Sequence, residues 1–253
     1  MIRPDYLQAL RQLTVKHPGN RVTFGTDMID SRIEGGLAQR ALHEVFAGSA
    51  EDGSAAAAFA VMISLRACPV GRPILWVRES RCGRQTGHLH AAGLAELGID
   101  PSDLVLIDAP DTLAVLRAGA DIVKCGQVGA VVIEPWGKAP LLDLTASRRL
   151  SMAAAASGVL TLVLRVDTEP MPSAAQTRWQ VAAAPSFPLA ANAPGHPAFN
   201  IALLRHRGGI SGFETCLEWN RDTRSFAPLS SGISAVPVVG ADQERPINQK
   251  CAA

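Results

Sequence analysis

The sequence predicts an α/β fold, a mostly parallel sheet flanked by helices with an antiparallel C-terminal extension, and three observations carry that prediction. Residues 73–78, 104–107, 130–133 and 159–165 are continuous apolar runs, the pattern of strands buried on both faces. Segments with helical patterning, each about 12 residues or longer, separate these runs, and such alternation builds βαβ units. After Asp167 the pattern changes: residues 177–183, 198–205 and 213–219 read as strands joined by short turns, which suits antiparallel pairing.

Taken in order, residues 4–16 place Leu7, Leu10 and Leu13 at helical spacing and then meet the breakers His17-Pro18-Gly19-Asn20. Residues 25–53 are loop-like apart from an apolar strand over 41–46, which stops at Ala47-Gly48. An alanine-rich helix over 54–67 follows, favoured by the high helix propensity of alanine, and Pro69 and Gly71 punctuate it before the strand at 73–78. Helices over 84–97, 111–125 and 141–156 alternate with the remaining apolar strands. The stretch from about 228 mixes Pro, Gly, Ser and charge without periodicity and reads as a partly or wholly disordered tail. The expected organisation is an N-terminal helix and linker at 1–20, one core at 21–226 and a tail at 227–253.

A chain of 253 residues, 47% hydrophobic, can bury a sizeable core, which excludes disorder throughout. With 24 Lys and Arg against 23 Asp and Glu, its net charge of +1 supplies no overall field toward nucleic acid or anionic lipid. Only four of the basic residues are lysines, and arginine suits phosphate and carboxylate forks. The five cysteines include no C-x-x-C pair, which argues against a disulfide framework or a zinc knuckle and fits a reducing compartment. The N-terminus lacks the apolar core of a signal peptide, and the longest apolar run, 55–63, is far below the roughly 18 residues that span a bilayer. A cytoplasmic protein with no membrane partner is expected.

The most informative stretch is Gly48-Ser49-Ala50-Glu51-Asp52-Gly53-Ser54-Ala55, between an apolar strand and a helix, where a phosphate-binding loop would sit. Such a loop needs G-x-x-x-x-G-K-[ST]: glycines that let backbone N–H groups curl around phosphates, a lysine for the β and γ groups, and a hydroxyl for Mg²⁺. Gly48 and Gly53 have the spacing, but Ser54 stands at the lysine position and Ala55 at the hydroxyl position. Both charge-neutralising elements are missing. Glu51 and Asp52 add negative charge nearby.

The segment leading in, Phe24-Gly25-Thr26-Asp27-Met28-Ile29-Asp30, then Gly35-Gly36-Leu37 and residues 41–48, resembles the approach to the phosphate loop in RecA-type ATPase cores. The resemblance implies a RecA-like P-loop NTPase fold across about 24–166. It aligns Glu79 with the glutamate that polarises attacking water, and Glu134 with the end of a Walker B strand whose usual aspartate is replaced. Both are expected to be vestigial positions, because a carboxylate activates water only beside a triphosphate held with Mg²⁺.

Within that group the chain is most similar to the ImuA family, damage-inducible RecA relatives with eroded phosphate loops and distant kin of SulA. The likeness rests on His43-Glu44-Val45-Phe46, on Pro73-Ile74-Leu75-Trp76-Val77, and on Leu203-Leu204-Arg205-His206-Arg207-Gly208-Gly209 with Leu217-Glu218-Trp219-Asn220. It implies a non-catalytic accessory protein of SOS-induced translesion synthesis and mutagenesis. The implied partners are a Y-family-like adaptor of the ImuB type, an error-prone replicative-type polymerase, and the RecA recombinase filament. No metal or cofactor is expected beyond weak ATP binding. The alternatives are a weak ATPase regulating the recombinase, with Arg78 or Arg81 supplying the lost lysine charge, and a SulA-like inhibitor of cell division.

Other candidates have blander readings. His88 and His90, two apart within the expected helix 84–97, point in different directions and share a metal poorly. His43 on an apolar strand reads as a packing residue. No local signature of a nucleophilic triad occurs. Arg148 and Arg149, and Arg205 and Arg207, are candidate contacts to phosphate or to an acidic partner; single-stranded DNA is an open partner through them.

Overall fold

The computed structural model describes residues 21–69, 71–189, 191 and 193–229. The expected N-terminal helix and nearly all of the expected tail lie outside the described residues. After a two-stranded ribbon of β1 (Arg21–Val22) and β2 (Leu37–Ala38), the strands β3 (Leu42–Ala47), β4 (Ile74–Glu79), β5 (Leu104–Ala109), β6 (Ala130–Glu134), β7 (Leu160–Arg165), β8 (Thr177–Ala184), β9 (Ala198–His206), β10 (Glu214–Asn220) and β11 (Ser225–Pro228) form one sheet. Its order is β11-β10-β9-β8-β3-β7-β6-β4-β5. Every pairing from β5 across to β8 is parallel, and β9, β10 and β11 continue the sheet antiparallel.

The helices are α1 (Asp27–Asp30), α2 (Gly53–Ala67), α3 (Ser80–Thr86), α4 (Ala91–Glu96), α5 (Thr112–Cys125) and α6 (Leu144–Ser157). Alternate residues of the parallel strands supply two cores. On one face Val45, Trp76, Val132 and Leu162 pack with Phe59, Ile63 and their neighbours on α2 and with Leu94 of α4. On the other, Val77, Ile133 and Val163 pack with Val115 and Val123 of α5 and Leu150 and Ala154 of α6. Helices therefore cover both faces of the parallel part, as the apolar runs require.

The expected architecture holds at the level of a mostly parallel α/β sheet with antiparallel C-terminal strands, and six details differ. Residues 25–53 hold α1, a 3₁₀ turn at Ser31–Ile33 and the β1–β2 ribbon besides the strand. Asp30 builds that corner, its carboxylate accepting from the N–H groups of Phe24 at 2.7 Å and Gly25 at 3.0 Å. The single helix expected over 84–97 is two, because Gly87 turns the chain at φ +86° and Arg78 Nη1 donates to its carbonyl at 3.2 Å. His88 and His90 consequently lie between helices rather than within one, and His88 folds back onto Gly83, where a built Cβ would stand 2.7 Å from the ring. The helix expected from 141 starts at Leu144, because Asp143 caps it by accepting from the Ala146 N–H at 2.7 Å. β8 is parallel to β3, so the antiparallel part begins one strand later than expected, and β8 and β9 are joined by residues 185–197 rather than by a short turn. Finally β11 carries the sheet to Pro228, past the expected boundary at 226.

Candidate functional site

Strand β3 is flanked by parallel partners on both sides, β7 and β8, and its C-terminal end opens into residues 48–52 before α2 begins at Gly53. Ligands of open α/β sheets bind beyond the carboxyl ends of such strands, at the N-terminus of the following helix. Gly48 and Gly53 are both needed for close packing. A Cβ on Gly48 would lie 3.0 Å from Asp52 Oδ2 and 3.1 Å from Ala182 Cβ, and one on Gly53 would lie 3.0 Å from Thr86 Cγ2 and 3.3 Å from Val166 Cγ1.

Asp52 decides what the loop can hold. It is the N-cap residue of α2, yet its side chain makes no capping bond to the helix. It turns across the loop instead: Oδ2 accepts from Ser49 Oγ at 2.8 Å, and Oδ1 accepts from the Ala183 N–H of β8 at 2.8 Å. The Gly48 N–H donates to the Val181 carbonyl at 2.8 Å, so the loop is stitched to β8 at two points. A carboxylate is thus held within the loop on its β8 side, adding negative charge near any bound phosphate, and two like unit charges 4 Å apart repel by about 4 kcal/mol at an effective dielectric of 20. Ser54 is exposed and Ala55 is half-buried, its methyl packed against the α2 core.

Ser54 and Gly53 line a cavity of about 280 Å³ together with Trp76, Arg78, Glu134 and the 86–90 segment. At its floor Glu134 Oε2 accepts from Trp76 Nε1 at 2.8 Å and pairs with Arg78 Nε at 3.4 Å, both charged side chains being 3% exposed. Burial pushes the Glu134 carboxyl above the usual carboxylate range, against the pull of Arg78 and the Trp76 bond. Arg78 also donates to the Gly87 carbonyl and, at 3.4 Å, to Thr86 Oγ1. Its charge is committed inside this network.

Glu79 stands at the end of β4, where its Oε2 accepts from Thr112 Oγ1 at 2.8 Å and from the Trp136 N–H at 3.4 Å. It ties the start of α5 to the segment after β6. The structure therefore brings Gly53, Ser54 and Glu134 to one cavity, places Gly48 beside Asp52 in a second cavity over β8–β10, and gives Glu79 structural partners. Arg148, Arg205 and Arg207 line a third cavity, and Arg149 is exposed outside it. Sequence reasoning weighed Asp52 only as nearby charge. An Asp directly before a helix-starting Gly reads as a cap, and only the β3–β8 pairing shows its other use. The Trp76–Glu134–Arg78 network also had no signal, because it joins residues 58 apart in the chain.

Among the described residues no group of three or more His, Cys, Asp and Glu side chains could hold a metal ion, and no helix is long and apolar enough to cross a membrane. No protein-family model and no curated protein matches the chain.

Proposed function

We propose that this chain is a RecA-like accessory protein of damage-induced translesion synthesis that does not turn over ATP and acts through contacts with a Y-family-like adaptor and an error-prone polymerase. The observation that supports this reading is the tied-down loop: at the end of β3 the Asp52 carboxylate bonds to Ser49 and to Ala183 of β8, in a loop whose lysine and hydroxyl positions are Ser54 and Ala55. The P-loop-type layout supports the RecA-like part, since a strand inside a parallel sheet runs through a glycine-bounded loop into a helix. The stretches that carry the ImuA resemblance support it as well, because they hold the scaffold together. His43 and Glu44 of β3 bond to Thr177 and Arg178 of β8, Trp76 of β4 bonds to Glu134, and Trp219 Nε1 of β10 donates to the Leu97 carbonyl at 2.9 Å. What resembles the family is therefore the frame, and a frame without its fuel site works by shape. The rearranged-ATPase alternative gains nothing from Arg78, whose charge is spent on Glu134.

Two measurements test the reading. Titration of the full chain with a fluorescent MgATP analogue should show no saturation at micromolar concentration, and tight loading with turnover abolished by Glu79→Gln would overturn it. Co-purification with the adaptor and the polymerase should succeed without nucleotide; failure to retain either partner would sink the accessory role.

A further inference from the structure

We infer that the cavity between α6, the 173–174 segment and the end of β9 is a docking site for an acidic, leucine-bearing segment of a partner protein, whose carboxylates are gripped by Arg148, Arg205 and Arg207. The cavity is about 380 Å³, and its wall holds those three arginines with Ser151, Leu144 and Met152. Among the described residues no Asp or Glu lines it. None of the three guanidiniums has a hydrogen bond or an ion pair among the described residues.

The convergence is built by the backbone. Opposite Arg178, the register of β9 against β8 slips: Arg178 faces Arg205, whereas Trp179 faces Leu203, leaving Leu204 as the extra residue. Such a bulge re-aims the side chains beyond it, and here it puts Arg205 on the face that α6 covers, beside Arg148. Arg207 is fixed next to them by its N–H, which donates to the Gln176 carbonyl at 2.9 Å. Like charges directly opposite on paired strands destabilise a sheet. Arg178 is neutralised by Glu44 at 2.9 Å and donates to Ser173 Oγ at 3.0 Å, so its charge is satisfied within the protein. Arg205 has no such counterion, and an external anion would supply one.

The rim selects the kind of anion. Met152 is 73% exposed and Leu144 40%. Polarizable, flexible methionine is suited to a partner's apolar side chains. Among the described residues no aromatic side chain lines the cavity to stack a nucleobase, and the net charge of +1 gives no general attraction to a polyanion. Carboxylates alternating with leucines match the forked guanidiniums and the apolar rim together. The chain's own ends lack that character, since residues 1–20 carry Arg3, Arg11 and Lys16 against Asp5, and residues 230–253 carry Asp242 and Glu244 against Arg245 and Lys250.

This inference rests on the accessory-protein reading for the idea of a partner, and its test separates the two. Fluorescence anisotropy of the full chain would use three labelled probes of about 12 units: an alternating Asp–Leu peptide, an Asp–Gly peptide of equal charge, and oligo-dT. The Asp–Leu peptide should bind at least about 10-fold more tightly than either other probe, and Arg148→Glu or Arg205→Glu should each weaken it by about 10-fold or more. Arg117→Glu, an equal charge change on α5, should leave binding within about 2-fold. Equal or tighter binding of oligo-dT would assign the cavity to nucleic acid and overturn the proposal, as would no peptide binding or an equal loss in all three variants. Adaptor capture run in parallel keeps the readings apart. Capture undiminished by Arg148→Glu/Arg205→Glu overturns the docking site alone, whereas no capture by the unsubstituted chain overturns the accessory reading alone.

Discussion

His43 shows how one buried side chain sets a pH limit on the fold. Its ring is fully buried on β3, with Nδ1 2.7 Å from Thr177 Oγ1 and Nε2 2.9 Å from the Ala38 carbonyl. A carbonyl can only accept, so Nε2 carries the proton. Thr177 Oγ1, which already accepts from Trp179 Nε1 at 2.8 Å, donates to Nδ1. A second ring proton has nowhere to go, and burial, the larger cause, pushes the pKa from 6.5 to about 4. The unfolded chain then binds more protons than the folded one between those values, so the contribution is complete above about pH 6.5 and fades as pH falls toward 4. Lowering pH from 7 to 5 should cost about 2 kcal/mol at this residue. Burial raises Glu134 and gives it the opposite sign, stability falling as pH rises, so the comparison must be between proteins: the urea midpoint of the native chain should fall more steeply from pH 7 to 5 than that of His43→Gln. Parallel slopes would show that His43 is not the titrating group. Asp52 makes the second case at this scale. If its carboxylate blocks the loop, Ser54→Lys with Ala55→Thr should fail to bind MgATP, and adding Asp52→Gly should allow it. Binding by the double variant alone would show that only the lysine and hydroxyl had been lacking.

Among the elements, the Trp76–Glu134–Arg78 network joins β4, β6 and the α3–α4 turn, and its energetics follow from burial. Removing one member of a buried pair leaves an uncompensated charge and costs about 3 to 5 kcal/mol, whereas replacing both by apolar side chains of similar size is often neutral or better. Glu134→Gln should therefore destabilise strongly in chemical unfolding, and Arg78→Met/Glu134→Leu should recover most of the loss; a double variant as unstable as the sum of the singles would mean that no coupling exists. The same elements show what the chain text discloses. The strands at 74–79, 130–134 and 160–165 were legible because a strand buried on both faces is apolar along most of its length, and edge strand 104–109 was legible because Leu104-Val105-Leu106-Ile107 is continuously apolar although it is only partly buried. The break at Gly87 was not, because it depends on Arg78 reaching a carbonyl nine positions away. The direction of β8 was equally hidden: its partner β3 lies more than a hundred residues back, and a parallel or antiparallel neighbour leaves the same local signature. For the site, glycine spacing located the loop, and the missing lysine and hydroxyl could be read directly. Asp52 could not be placed, since its second bond is to a strand 131 residues away.

Across the whole molecule, the last strand closes a core that the first described residues open. Phe226 of β11 lies 5.6 Å from Phe24, 5.4 Å from Phe59 and 4.9 Å from Trp219 between ring centroids, and its N–H donates to the Phe24 carbonyl at 2.9 Å. Arg66 at the end of α2 binds both ends at once, donating to the Thr23 carbonyl, to Thr23 Oγ1 at 2.8 Å and to the Arg224 carbonyl at 2.5 Å. The antiparallel strands are therefore part of the same cooperative unit as the parallel sheet, although they sit at its far edge. Their aromatic side chains fill the α2 face next to the helix that follows the degenerate loop, so loosening β11 exposes the packing that holds α2 in place. Phe226→Ala removes a fully buried ring and should cost about 3 to 5 kcal/mol, the range for deleting a large core side chain. Because the loss falls on shared packing, thermal unfolding should stay a single transition at lower temperature, with near-ultraviolet ellipticity and tryptophan emission changing together. Separate transitions, with β3–β8 surviving after Trp219 has become exposed, would show that the extension is an appended unit and that α2 does not depend on it.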